Sequence, residues 1–103
     1  ILIVENNGAI ANMQDDAMVE VVCELGANGP RPMSVGNIPQ FNLGLLVNQV
    51  SCEKLIVDAY FENSYQKALE AFTLNRLIND AKKARKVLDA LIEANRGMWP
   101  ELR

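Results

Sequence analysis

The side chains in this 103-residue chain best suited to bind a hydroxylated or anionic ligand are Asn6, Asn7 and Arg31, with Gly8 beside the first two. A carboxamide donates and accepts hydrogen bonds as a sugar hydroxyl requires, and a glycine lets a ligand approach the backbone closely. Arg31 stands between Pro30 and Pro32 on what should be a stiff segment, and its planar guanidinium matches the geometry of a phosphate. A structural reading of Asn6-Asn7-Gly8 stands beside this one: a bulge or strand exit that needs positive φ. The other polar groupings read more simply as solvated surface. Asp15-Asp16 has the carboxylates for cation binding or acid/base work, but adjacent acids ahead of a strand usually face water. Glu20 and Glu24 share a strand face across Val22, as on an exposed sheet. Lys82, Lys83, Arg85 and Lys86 crowd the start of a helix without interleaved aromatics.

Histidine is absent, which removes Ser-His and Cys-His nucleophile pairs and any histidine-containing metal site from this segment. A self-contained hydrolase of the common types is therefore not expected. The two cysteines, Cys23 and Cys52, are too few for a small disulfide scaffold and read as core thiols in a reducing cytoplasm. A formal net charge of −3 argues against a broad nucleic-acid or anionic-membrane surface. No apolar run nears the roughly 18 residues of a membrane span, and no signal-peptide pattern is present. Half the residues are hydrophobic and 22% are charged, as in ordinary globular domains. One domain is expected, able to bury about 65% of its unfolded surface. The chain opens at Ile1 within an apolar run and without an initiator Met, so it reads as a piece of a longer polypeptide.

The elements that would carry these groups change character along the chain. Residues 1–5 form a β-branched apolar run expected to be a strand buried on both faces. Residues 18–25 alternate, with Val19, Val21, Cys23 and Leu25 on one face. Asn28-Gly29-Pro30 should close that strand as a turn, because Pro30 and Pro32 cannot donate to a ladder. Residues 33–35 are short enough only for a further brief strand. From Pro39 the period becomes helical. Residues 39–62 carry two apolar stripes, one through Phe41, Leu45, Cys52, Ile56 and Ala59, the other through Leu43, Leu46, Val50, Val57 and Phe61. Such a helix needs cover on two sides, from its own domain or from a partner. Asn37 is a candidate cap for it. Asn63-Ser64 breaks the chain and caps a helix over 65–74, and Asn79-Asp80 caps a third that runs to Asn95, with Gly97 at its left-handed exit. Strands followed by about three helices make an α+β class.

The order Glu5-Asn6-Asn7-Gly8-Ala9-Ile10, Asn12, Asp16-Ala17-Met18-Val19-Glu20-Val21, Gly29-Pro30-Arg31-Pro32 and Val35-Gly36-Asn37-Ile38-Pro39 resembles the C-terminal part of family 4 glycoside hydrolases. Ala68-Leu69-Glu70-Ala71-Phe72 and Ile92-Glu93-Ala94-Asn95-Arg96 before Trp99-Pro100 are similar as well. Within the family the run most resembles the 6-phospho-β-glucosidases. The resemblance implies a fold like the C-terminal domain of lactate and malate dehydrogenases. It implies chemistry outside the two-carboxylate scheme: NAD oxidises the sugar at C3, a tyrosine removes the C2 proton, the aglycone is eliminated, water adds and hydride returns. A divalent cation, typically manganese, polarises the C2 and C3 oxygens.

The NAD-binding Rossmann domain, the metal-binding Cys and His and the catalytic Tyr lie upstream in the family. No catalytic residue is therefore carried over to this chain. Cys23 sits in an unmatched context, and Tyr60 and Tyr65 fall in helices. Asn6, Asn7, Gly8 and Arg31 remain as substrate-lining candidates, with neither NAD nor metal expected on this fragment alone. The implied whole is a cytoplasmic homo-oligomer acting on a phosphorylated disaccharide, with this chain docked on its own NAD-binding domain. A phospho-α-glucosidase or α-galactosidase is the nearest alternative. A non-enzymatic α+β interaction module with a coincidental match is the other.

Overall fold

A computed structural model describes all residues, 1–103. The order is β1 (Leu2–Glu5), β2 (Met18–Val21), β3 (Cys23–Gly26), β4 (Gly29–Pro32), α1 (Gln40–Glu62), α2 (Tyr65–Leu74) and α3 (Ala81–Ala94), an α+β arrangement. Two compact units divide the chain, Ile1–Val47 and Asn48–Arg103, the boundary falling inside α1.

In the first unit β1 and β2 pair antiparallel, with Val4 opposite Val19 and Leu2 opposite Val21. The expected double burial of residues 1–5 does not occur. Ile3 is 69% exposed, because β2 is the only strand beside β1 in this two-stranded sheet. The core lies instead on the β2 side, where Val19 and Val21 are buried with Ala9, Ile10, Met13 and Ala17.

The expected single strand over 18–25 is two strands parted at Val22. β3 turns back through Ala27-Asn28 into β4, and the two prolines lie inside that strand rather than in a turn. Register explains how they are tolerated. Pro30 and Pro32 face Leu25 and Cys23, two residues apart on one strand, so both occupy the positions that make no ladder bond in an antiparallel pair. The bonds fall to the residues between and beyond, as in Met33 N–H donating to the Val22 carbonyl at 2.9 Å. Alternation is kept as far as the half-buried Cys23 and fails at Leu25, which is exposed.

In place of a strand over 33–35, the chain makes a single parallel bridge between Ile10 and Gly36. Helix α1 then begins with the Pro39 carbonyl accepting from Leu43 N–H at 3.0 Å, so Pro39 stands just outside the helix.

The second unit is a helical corner. Ser64 caps α2 by accepting from Lys67 N–H, and Asp80 caps α3 by accepting from Lys83 N–H at 2.7 Å. Left-handed Asn63 and Asn79 precede those caps and redirect the chain. Gly97 is left-handed as expected, but α3 ends at Asn95, so the glycine lies one position beyond the first residue past the cap. Ala59, Ala68, Ala71 and Ala84 are each at most 2% exposed, small side chains that let helices approach closely. Leu88 is fully enclosed against Ala59 and Ala68, with Tyr65, Leu69, Phe72, Ile92 and Leu102 packed around them. The chain end joins this corner through Arg103 N–H to the Asn63 carbonyl at 2.8 Å and Tyr65 N–H to the Arg103 carbonyl at 3.0 Å. No helix is long and apolar enough to cross a membrane.

Candidate functional site

The loop over 6–17 joins β1 to β2 and contains the Asn6-Asn7-Gly8 turn. Asn6 directly follows β1 and is fully buried. Its Oδ1 accepts from Ile10 N–H at 2.8 Å, and its Nδ2 donates to the carbonyls of Ile10, Met13 and Gln14 at 3.1, 3.2 and 3.1 Å. The backbone adds a lacing of its own. Asn6 N–H donates to the Ala17 carbonyl at 2.8 Å, and Asn7 N–H donates to the Asp15 carbonyl at 2.9 Å. Asn7 and Gly8 follow at φ values of 42° and 82°, a left-handed pair that Asn and Gly adopt at least cost. Both are exposed while Asn6 faces in, and the Asn7 amide donates through Nδ2 to the exposed Glu5 carboxylate at 3.3 Å.

The segment 35–38 flanks this loop. Val35 N–H donates to the Ala9 carbonyl at 2.7 Å and Ala11 N–H to the Gly36 carbonyl at 2.9 Å. Asn12 completes the seam by bonding both backbone groups of Ile38. Its amide mimics a strand neighbour, a role not read from sequence alone. The available signal was an asparagine in a short loop ahead of a second glycine–asparagine turn.

Arg31 is not brought to the turn by any hydrogen bond. Its guanidinium pairs with Glu24, its cross-strand neighbour in the β3–β4 ladder, and both side chains are largely exposed. Such a pair contributes little to stability. Asp15, Asp16, Glu20 and the basic residues Lys82, Lys83, Arg85 and Lys86 are all exposed, as a solvated surface requires.

Elsewhere the titratable groups serve packing. Burial raises the Cys52 thiol above its ordinary value, and Cys23 and Cys52 are both free. The Tyr65 phenol donates to Asp89 at 2.7 Å, and that bond raises its pKa. Lys67 bridges Glu62 and Asp58 at 2.6 and 3.2 Å, tying the end of α1 to α2. An apolar cleft lined by Ile56, Tyr60, Phe72, Trp99 and Leu102 offers no charged group to an anionic sugar. No three His, Cys, Asp or Glu side chains gather as a metal site would require. The residues present do not fit a metal centre.

A family model described as the family 4 glycosyl hydrolase C-terminal domain matches residues 1–78. The chain belongs to that family. This family 4 domain is 55% identical over 102 residues to maltose-6'-phosphate glucosidase of Bacillus subtilis (strain 168), covering 99% of the chain and 23% of that protein. It also matches the crystal structure of a 6-phospho-alpha-glucosidase from gut microorganisms in complex with NAD and Mn2+. There the TM-score is 0.96 at 82% identity, over 98% of this chain and 23% of that one. A probable 6-phospho-beta-glucosidase of B. subtilis (strain 168) is 38% identical over 96 residues, 93% of this chain and 22% of that protein. The domain thus spans about a quarter of the curated relatives it matches. Membership removes the reading of a coincidental match, and these identities reverse the order of the α and β readings made from sequence.

Proposed function

We propose that this family 4 domain belongs to an NAD- and divalent-metal-dependent glycosidase that hydrolyses 6-phospho-α-glucosides, with the NAD-binding domain in the remainder of the polypeptide. The observation that carries the reading is the 82% identity to a phospho-alpha-glucosidase, against 38% to a β-type relative. Groups that sort α from β linkage must differ between enzymes, and sequence distance follows that divide here. NAD and the metal supply redox and Lewis-acid chemistry from outside this chain. The domain contributes a wall: the outward Asn7 amide and Gly8 backbone toward sugar hydroxyls, and Arg31, exchangeable from its solvated Glu24 pair, toward a phosphate.

Exposed apolar side chains support a further role in contact with the rest of the polypeptide and with a second copy. Ile3, Leu25, Phe41 and Phe61 are each at least 69% exposed, more large apolar surface than a solitary domain normally leaves in water. The expected compartment is the cytoplasm, where phosphorylated sugars and NAD are both at hand. The test uses the intact polypeptide with NAD+ and Mn2+ on p-nitrophenyl α- and β-glucoside 6-phosphates. Hydrolysis of the α anomer alone is expected. Preference for the β anomer overturns the linkage assignment, and turnover by the 103-residue chain alone overturns its role as a wall.

A further inference from the structure

We infer that Asn6 is a positioning residue whose buried amide sets the shape of the loop over 6–17, and through it the pose of Asn7 and Gly8 toward a bound sugar. The sugar-facing part of this inference rests on the functional reading above. The shape-setting part does not.

Backbone bonds from Asn6 N–H to the Ala17 carbonyl and from Asn7 N–H to the Asp15 carbonyl lace the base of the loop. One side chain ties the backbone groups farther along it. The amide has two N–H groups and meets three carbonyls, from Ile10, Met13 and Gln14, so one N–H is shared, while its oxygen takes Ile10 N–H. No buried side-chain polar atom is left without a partner. Every bond spans four to eight residues, so a single amide ties the loop together from Asn6 to Gln14.

An apolar side chain here would take the amide's bonds from the Met13 carbonyl and the Ile10 N–H, and would leave the Ile10 and Gln14 carbonyls only their backbone donors, Met13 N–H and Ala17 N–H. A Gln would push the amide past its partners by one methylene. The requirement is thus for Asn in particular. Immediately next to this anchor Asn7 and Gly8 hold consecutive left-handed conformations, which reverse the chain at low cost for these two residue types. The inward amide of Asn6 and the outward amide of Asn7 divide the labour: one builds the loop, the other is displayed by it.

The experiment places Asn6→Ala and Asn6→Ser in the intact enzyme. Serine keeps a hydroxyl able to accept from Ile10 N–H, so it serves the comparison where alanine does not fold. Hydrogen exchange by mass spectrometry over 6–17 and steady-state kinetics on the α-glucoside 6-phosphate are read together. Expected are exchange at least roughly tenfold faster in 6–17 with the helices unchanged, and a KM rise of roughly tenfold with kcat within about twofold. Unchanged exchange in 6–17 overturns the shape-setting role. A loosened loop with unchanged KM overturns the sugar-facing role. A wild-type enzyme inactive on the α substrate overturns the functional reading instead, and the exchange result still decides the shape-setting role.

Discussion

Asn12 holds Ile38 by both of its backbone groups, accepting from Ile38 N–H and donating to its carbonyl, each at 3.0 Å across 26 residues of sequence. The last residues before α1 are thereby moored to the β1–β2 loop. Removing both bonds in Asn12→Ala should cost about 1–3 kcal/mol, since each contributes on the order of 0.5–1.5 kcal/mol net. Asn12→Asp should fare no better, because it sets a carboxylate against the Ile38 carbonyl. Urea denaturation with a probe in the first unit reads the loss. Wild-type stability in Asn12→Ala would show that the seam needs no clamp.

Leu88 is the largest apolar side chain that is wholly enclosed, and its buried neighbours Ala59 and Ala68 are too small to fill the space it occupies. Leu88→Ala should destabilise the helical unit by about 2–5 kcal/mol. Leu88→Met, which nearly conserves volume, should cost less than about 1.5 kcal/mol. Thermal unfolding followed by circular dichroism separates the two. Equal effects would mean that shape at this point matters little.

The Tyr65–Asp89 bond makes a prediction in pH. Accepting from the phenol, the Asp89 carboxylate raises the Tyr65 pKa, with burial adding to the effect. Folding therefore favours the neutral phenol. Its contribution is complete below the unfolded tyrosine value of about 10 and is lost as pH rises through the higher folded value. Tyr65→Phe keeps the ring in the core and should lose about 0.5–1.5 kcal/mol at pH 8. Above pH 11 the gap between wild type and Tyr65→Phe should shrink. A gap that is constant with pH would mean that the phenol bond contributes nothing in solution.

Cys52 should be chemically silent. It is 5% exposed, and burial raises its thiol, so both access and thiolate are scarce. Labelling the native protein with iodoacetamide and mapping by mass spectrometry should modify the half-buried Cys23 first and reach Cys52 only after urea is added. Modification of native Cys52 at the rate of a free thiol would contradict the packing described for α1.

Cap Asp80 offers a smaller test of how local chemistry sets an element. Its carboxylate takes Lys83 N–H at 2.7 Å, and Asp80→Ala should cost about 0.5–2 kcal/mol, with Asp80→Asn close to wild type. The measurement is chemical denaturation of the three proteins side by side. Equal losses for Ala and Asn would trace the effect to charge rather than to the cap bond.

The helices were legible because their signals are local. Ser64 and Asp80 announce starts by accepting from N–H groups three residues on, and the 3.6-residue period of Ala84, Leu88 and Leu91 marks a buried face without reference to anything distant. The strand region was legible only in part. Prolines at 30 and 32 argue against a strand as long as the partner is unknown. Once register places both opposite non-bonded positions, the same residues are compatible with one. Residues 1–5 carry the apolar run of a doubly covered strand, yet Ile3 is exposed, with β2 the one strand paired to β1.

The site divides along the same line. Residue types alone pointed to Asn6, Asn7 and Gly8 as a turn with positive φ and exchangeable amides, and two of the three adopt that φ. Which amide faces inward could not be read, because orientation depends on where the carbonyls of Ile10, Met13 and Gln14 lie after the loop closes. Element type, caps and turn chemistry follow from interactions within about four residues, whose energies are written into the order of side chains. The β1–β2 pairing and the Asn12–Ile38 clamp come from contacts between segments far apart in the chain, and only the folded arrangement brings those segments within hydrogen-bonding distance.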